Sequence, residues 1–169
     1  MFRIHRSIDI DFAHHVRGHA GPCANIHGHT WKFEVGIEGD TLDATGFVID
    51  FHRLIDGVLS PCHALLDHSL AVGEDTYAEA REQLVALGEV LVPDAPAELP
   101  PSEPLAGARS EAPGGMRVVV FPFNPTSERL AQWLFCLADA RLSDEHVRVV
   151  YARVYETLLP VESVAEYRP

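Results

Sequence analysis

Two long runs of alternating side chains, joined by a short loop containing Gly and Pro, constrain the fold of this chain more than any other feature. In residues 2–13, Phe2, Ile4, Ile8, Ile10 and Phe12 alternate with Arg3, His5, Asp9 and Asp11. From His29 to Glu38, Trp31, Phe33, Val35 and Ile37 alternate with Lys32, Glu34 and Gly36. A period of two puts each set on its own face of a strand, so both runs read as strands with one buried face. Gly18, Gly21 and Pro22 mark residues 16–26 as the loop between them. The two strands are expected to be antiparallel neighbours, with Glu34, Glu38 and Asp9 on a solvated face.

That loop and the start of the second strand carry the chemistry. Cys23-Ala24-Asn25-Ile26-His27-Gly28-His29 places a thiol and two imidazoles within seven residues. At i and i+2 on a strand, His27 and His29 project from the same face and can grip one metal ion together. The third imidazole is His14 or His15. If the first strand continues past Phe12, His14 shares the apolar face of Phe12 and His15 faces the other way. This favours His15 without deciding between them, because register can change at a strand end. Three neutral nitrogens with an open fourth position form a catalytic zinc site, whereas a structural one is closed by a fourth protein ligand. Cys23 then stands as a base or nucleophile beside an activated substrate.

Farther along, Asp50 reads as the N-cap of a helix with Leu54, Ile55, Val58 and Leu59 on one face, limited by Pro61. Residues 73–92 carry Tyr77, Ala80, Leu84, Leu87 and Leu91 at helical spacing. Residues 93–115 are rich in Pro, Ala, Glu and Gly and read as a surface excursion with little to bury. Met116–Phe121 is a short apolar strand. A helix starts within Asn124–Glu128, with Leu130, Trp133, Leu134 and Leu137 as its buried stripe. Residues 147–155 and 161–167 read as further strands, the first apolar on both faces. The expected fold class is α+β, an antiparallel four-stranded sheet with two helices packed on one face. The 169 residues form a single expected domain with an insert at about 71–115.

Net charge and cysteine usage narrow the function. A formal net charge of −12 argues against nucleic acid or an anionic membrane as a main partner. No run approaches the ~20 apolar residues of a membrane helix. Arg3, His5 and Arg6 interrupt any leader-like stretch. The three cysteines, Cys23, Cys62 and Cys136, show no framework spacing, which leads to the expectation of a reduced, cytoplasmic protein. Asp67-His68 can orient and polarise a general acid or base, or Asp67 can simply cap a helix end. Glu156, at the end of the 147–155 strand, can accept two N–H bonds from a guanidine-like ligand edge.

Phe12-Ala13-His14-His15, Cys23-x-x-x-His27-Gly28-His29, Gly46–Phe51, Leu66-Asp67-His68, Asn124–Glu128 and Glu156-Thr157 occur in this order. In that combination the chain resembles the 6-pyruvoyltetrahydropterin synthase superfamily. The Cys-to-His spacing is similar to that of the 6-carboxytetrahydropterin synthases of the queuosine and 7-deazaguanine pathway. The resemblance implies a tunnelling fold, in which subunit sheets join into a barrel, commonly a homohexamer built as a dimer of trimers. It implies sites at subunit interfaces, with Zn²⁺ held by His15, His27 and His29, catalysis by Cys23 with Asp67 and His68 of a neighbouring subunit, and a pterin ring anchored by Glu156 with Thr157 beside it. The implied reaction converts 7,8-dihydroneopterin triphosphate to 6-carboxytetrahydropterin, acetaldehyde and triphosphate. The rivals are 6-pyruvoyltetrahydropterin synthase activity, another pterin side-chain lyase or aldolase, and an inactive zinc-binding protein. The basic residue that usually follows the zinc His is absent, since Val16 precedes Arg17, and this keeps His14 open as the ligand.

Overall fold

The computed structural model describes residues 1–94, 104–157 and 162–169. Its seven strands run in the hydrogen-bonded order β4-β5-β3-β1-β2-β6-β7. In sequence these are β1 (Phe2–His14), β2 (His27–Gly39), β3 (Leu70–Gly73), β4 (Arg109–Glu111), β5 (Val118–Phe121), β6 (Val147–Thr157) and β7 (Ser163–Tyr167). The helices are α1 (Phe51–Leu54), which passes through a π turn at Ile55–Leu59 into α2 (Ser60–Leu66), then α3 (Glu74–Leu91) and α4 (Ser127–Leu142). The residues group into two compact units. One holds Met1–Ile10, Thr30–Ala64 and Ser127–Pro169, and the other holds Asp11–His29 and Leu65–Thr126.

In the first unit, β2 pairs antiparallel with β6, and β6 with β7. Trp31, Phe33, Val35 and Ile37 are fully buried, as their alternation requires. Helix α4 packs on β6 and β7, and buries Leu130, Leu134 and Leu137. Each such side chain contributes roughly 1.5–3 kcal/mol by leaving water. Asp50 caps α1 by accepting from the His52 N–H at 2.8 Å. Pro61 does not end the helix. It lacks the N–H that would reach the Gly57 carbonyl one turn back, and Arg141 Nη1 donates to that carbonyl instead, at 2.7 Å.

The other face of β2 departs from the solvated face expected of it. Glu34 and Glu38 are only 6% and 7% exposed. Cross-strand cations cover them. Arg153 Nη1 and the Tyr151 hydroxyl donate to Glu34 at 3.1 and 3.2 Å. Arg3 and Arg148 donate to Glu38, Arg148 Nη2 at 3.1 Å. Gly36 lies opposite Tyr151, whose ring occupies the space of a side chain: a Cβ on Gly36 would meet Tyr151 Cε1 at 2.1 Å. Burial, and Glu34 beside it, pushes the Tyr151 phenol up to about 12.

The second unit corrects the expected four-stranded antiparallel sheet with two helices. The last residues of β1 pair parallel with β3, β3 pairs parallel with β5, and β4 pairs antiparallel with β5. The sheet is therefore mixed, and a third helical segment, α3, lies within the expected insert. All four residues of β3 are buried, so Leu70-Ala71-Val72-Gly73 shows no alternation for a sequence pattern to catch. Leu70, Val72, Tyr77, Leu84, Val118 and Val120 form a core, with Ala13, Ala80 and Met116 against it.

The excursion expected over residues 93–115 is also corrected where it is described, because 104–115 carries core structure. Leu105 and Ala108 are buried, Arg109–Glu111 forms β4, and the 3-10 turn Pro113–Gly115 packs on α3. Arg109 bridges Glu74 and Glu111, which ties β4 to the start of α3. Residues 95–103 lie outside the described residues.

Candidate metal centre

Three imidazoles converge in the second unit. One ring nitrogen each from His14, His27 and His29 lies within 4.8 Å of the other two. The ring centroids are 4.5 Å apart for His14 and His27, 5.6 Å for His14 and His29, and 4.9 Å for His27 and His29. His14 ends β1, while His27 and His29 open β2 two residues apart on one face. The third member is thus His14 and not His15, which corrects the strand-parity expectation. An apolar face tolerates a buried His14, 1% exposed, because its Nδ1 is bonded to a backbone carbonyl and its Nε2 points at the other two imidazoles.

The hydrogen bonds define the donor set. His14 Nδ1 lies 2.8 Å from the Pro125 carbonyl, and His27 Nδ1 lies 2.9 Å from the Asn25 carbonyl. A carbonyl oxygen only accepts, so both Nδ1 atoms carry hydrogen, and in the neutral rings both Nε2 atoms present lone pairs. Those two Nε2 atoms face each other at 3.1 Å. Two lone pairs repel at that distance unless a cation or a proton lies between them. Two nitrogens bound tetrahedrally to one zinc would be about 3.3 Å apart. Backbone carbonyls holding the far nitrogens are the usual outer partners of metal-bound imidazoles. The residues present therefore fit a divalent metal of zinc type, with imidazole as the common donor.

Cys23 sits half-buried in the 3-10 turn Pro22–Ala24, four residues ahead of His27. The turn is closed by the Ala24 N–H to the Gly21 carbonyl at 3.1 Å and the Asn25 N–H to the Pro22 carbonyl at 2.9 Å. His15 turns away from the triad, and its Nδ1 meets the Ala24 carbonyl at 2.9 Å. Cys62 is buried, and burial pushes its thiol far above the usual range, so it is inert. Cys136 is exposed on α4.

Asp67 and His68 form the turn after α2. Asp67 Oδ2 lies 2.9 Å from His68 Nδ1, which fixes the ring and directs Nε2 outward. The His68 backbone is left-handed, with φ 55°. Strain of this kind costs about 1–3 kcal/mol and collects at functional sites. Here it is held by the His68 N–H to the Asp11 carbonyl at 2.7 Å and by the Asp11 N–H to Asp67 Oδ1 at 3.4 Å. Glu156 and Thr157 belong to the first unit, half-buried at the end of β6. Glu156 lines a cleft of about 640 Å³ with Ser127, Glu128, Glu162 and Glu166. So many carboxylates in one cleft suit a ligand edge rich in N–H donors.

Comparison with known proteins gives one family. The sequence model described as 6-pyruvoyl tetrahydropterin synthase matches residues 3–169. A 6-carboxy-5,6,7,8-tetrahydropterin synthase of Haemophilus influenzae is 28% identical over 160 residues, covering 93% of this chain and 94% of that protein. Among solved structures, an uncharacterised protein of Wolinella succinogenes superposes with a TM-score of 0.67 at 24% identity, covering 99% of this chain and 97% of the other. The 6-pyruvoyl tetrahydropterin synthase of Caenorhabditis elegans superposes with a TM-score of 0.59 at 15% identity, covering 99% and 95%. Both superpositions establish likeness of fold.

Proposed function

This chain belongs to the 6-pyruvoyl tetrahydropterin synthase family, and on that premise we propose that it is a zinc-dependent lyase acting on a dihydropterin. The reaction is the conversion of 7,8-dihydroneopterin triphosphate to 6-carboxytetrahydropterin, acetaldehyde and triphosphate. It would serve queuosine and 7-deazaguanine synthesis in the cytoplasm. The observation that carries the reading is the convergence of His14, His27 and His29 beside the Cys23 turn. The similarity to a 6-carboxy-5,6,7,8-tetrahydropterin synthase over nearly the whole chain supports the product.

The metal, held by the three imidazoles, would polarise the oxygens of the substrate side chain. Cys23 takes the proton from the adjacent side-chain carbon. Asp67 holds His68 by Nδ1, so Nε2 is the atom that gives or takes a proton at a substrate oxygen. Glu156 accepts from the guanidine-like edge of the ring, with Thr157 beside it, and so anchors the substrate. The sheet ends in β4 and β7. Open edges are an aggregation liability that barrel closure between copies removes. The proposed assembly, which the family resemblance implies, is a homohexamer of two stacked trimers.

The test is mass spectrometry of the products formed from 7,8-dihydroneopterin triphosphate by the zinc-loaded protein. 6-Carboxytetrahydropterin with acetaldehyde is the expected result. A 6-pyruvoyl product without acetaldehyde would overturn the product assignment, and unchanged substrate would overturn the lyase.

A further inference from the structure

His15 neighbours a metal ligand, yet its ring serves a different structure. Adjacent residues leave a strand on opposite faces, so His14 turns into the triad and His15 turns away from it. The His15 backbone N–H donates to the Ala71 carbonyl at 3.3 Å, which anchors the residue to β3. From there its Nδ1, the donor in a bond to a carbonyl, reaches the Ala24 oxygen at 2.9 Å. The next residue reinforces this contact, since the Val16 N–H donates to the Cys23 carbonyl at 3.0 Å. The carbonyl that follows, that of Asn25, is held by the ring of His27 at 2.9 Å. Two imidazoles thus hold consecutive peptide units of one turn. One of them belongs to the triad, and Cys23 sits immediately before the pair.

We propose that His15 is a positioning residue that fixes the Cys23 thiol relative to the His14–His27–His29 centre. The proposal rests on the reading of Cys23 as the proton-transfer group. Cys23 is half-buried in a three-residue turn, and a turn so short keeps its shape mainly through such bonds. A loosened turn lets the thiol swing toward solvent and away from the reacting carbon, and small misplacements of a catalytic group have large effects on rate. Removing the ring frees a carbonyl on an exposed residue, where water can take the place of the lost donor.

The experiment compares His15→Leu with His15→Asn, whose side-chain amide nitrogen replaces Nδ1 as donor. A Cys136→Ser background removes the exposed thiol. Three quantities are read: bound metal, the rate of Cys23 alkylation by iodoacetamide mapped by peptide mass spectrometry, and kcat with KM. For His15→Leu we expect full metal content, alkylation faster by about fivefold, the worth of an ordinary hydrogen bond, and a fall in kcat of at least that factor with KM little changed. His15→Asn restores both rates. Loss of metal from His15→Leu would place His15 in the metal shell and overturn the proposal. An unchanged or slower alkylation rate, or failure of His15→Asn to restore it, would overturn it as well. The alkylation rate decides the positioning role even if the protein turns over no dihydropterin, so the two readings fail separately.

Discussion

Replacing Gly88 by Ala tests whether the 104–115 segment is core. Helix propensity alone says that the change stabilises an α-helix by about 1 kcal/mol. The packing of α3 says the opposite. A Cβ on Gly88 would lie 2.4 Å from the Pro113 carbonyl oxygen and 2.8 Å from that of Gly114. Tolerable contact begins near 3.0 Å, so α3 and the 3-10 turn must separate by at least 0.6 Å (3.0 − 2.4). Both contacts are to backbone, which cannot swing aside as a side-chain tip can. Overpacking of this kind costs about 1–3 kcal/mol, with backbone-to-backbone contact at the upper end, and after the propensity gain a net loss of up to about 2 kcal/mol remains. For a chain of this length that is a fall in Tm of up to roughly 8 °C. The assay is thermal unfolding followed by circular dichroism at fixed protein and metal concentration, with Ala86→Gly on the exposed face of the same helix as the reference. Ala86→Gly loses about 1 kcal/mol through propensity alone. The two opposite substitutions are therefore expected to destabilise in the same direction. A higher Tm for Gly88→Ala would mean that the 113–115 turn is not seated on α3, and the corrected account of the insert would fail.

Two further outcomes follow from the site and the sheet. His14→Ala is expected to lose metal affinity by more than about a hundredfold, beyond the 10–100-fold of an outer partner; one equivalent of zinc retained after dialysis against a chelating buffer would exclude His14 as a ligand. The Glu38 carboxylate is held below the usual range by Arg3 and Arg148, against the opposing effect of burial. Its contribution to stability is thus complete above the unfolded value of about 4.3 and is lost as pH falls through the lower folded value. Glu38→Gln should lower stability at pH 7 and flatten its dependence on pH below about 4; parallel acid profiles for the two proteins would show that the Arg3–Glu38–Arg148 cluster contributes nothing.

The parts legible in the sequence are those in which apolar and polar side chains recur with the period of one element. The alternation of residues 2–13 and 29–38 locates β1 and β2 to within two residues. The stripe of Leu130, Trp133, Leu134 and Leu137 locates α4, and the carboxylate of Asp50 locates the start of α1. Patterning fails where burial is two-sided or where charge is buried with a partner. Leu70–Gly73 has no polar face to reveal its period. Glu34 and Glu38 alternate as a solvated face would, yet they are covered by arginines from β6 and β1 that lie far away in sequence. In β4, Arg109-Ser110-Glu111 has no strand signature of its own and is a strand because β5 offers it an edge.

The choice between His14 and His15 shows where the parity of a strand carries functional information. On β1 the buried side chains are Ile10, Phe12 and His14, all of even number. On β2 the buried apolar side chains are Trp31, Phe33, Val35 and Ile37, of odd number, and this parity extends back through His29 to His27. The three imidazoles therefore continue the apolar faces of their strands at the point where those faces run out of hydrophobic residues. A metal centre gains from that position. Apolar neighbours exclude water and lower the local dielectric, which strengthens the attraction between a cation and nitrogen lone pairs aimed at it. An imidazole that shares the buried face is thus the better ligand candidate, provided that a carbonyl waits for its second nitrogen, as the carbonyls of Pro125 and Asn25 do for His14 and His27. His15, on the opposite face, finds a carbonyl on an exposed turn instead. The sequence contains this parity signal, and reading it correctly requires treating a histidine on an apolar face as a polar group with both of its nitrogens committed.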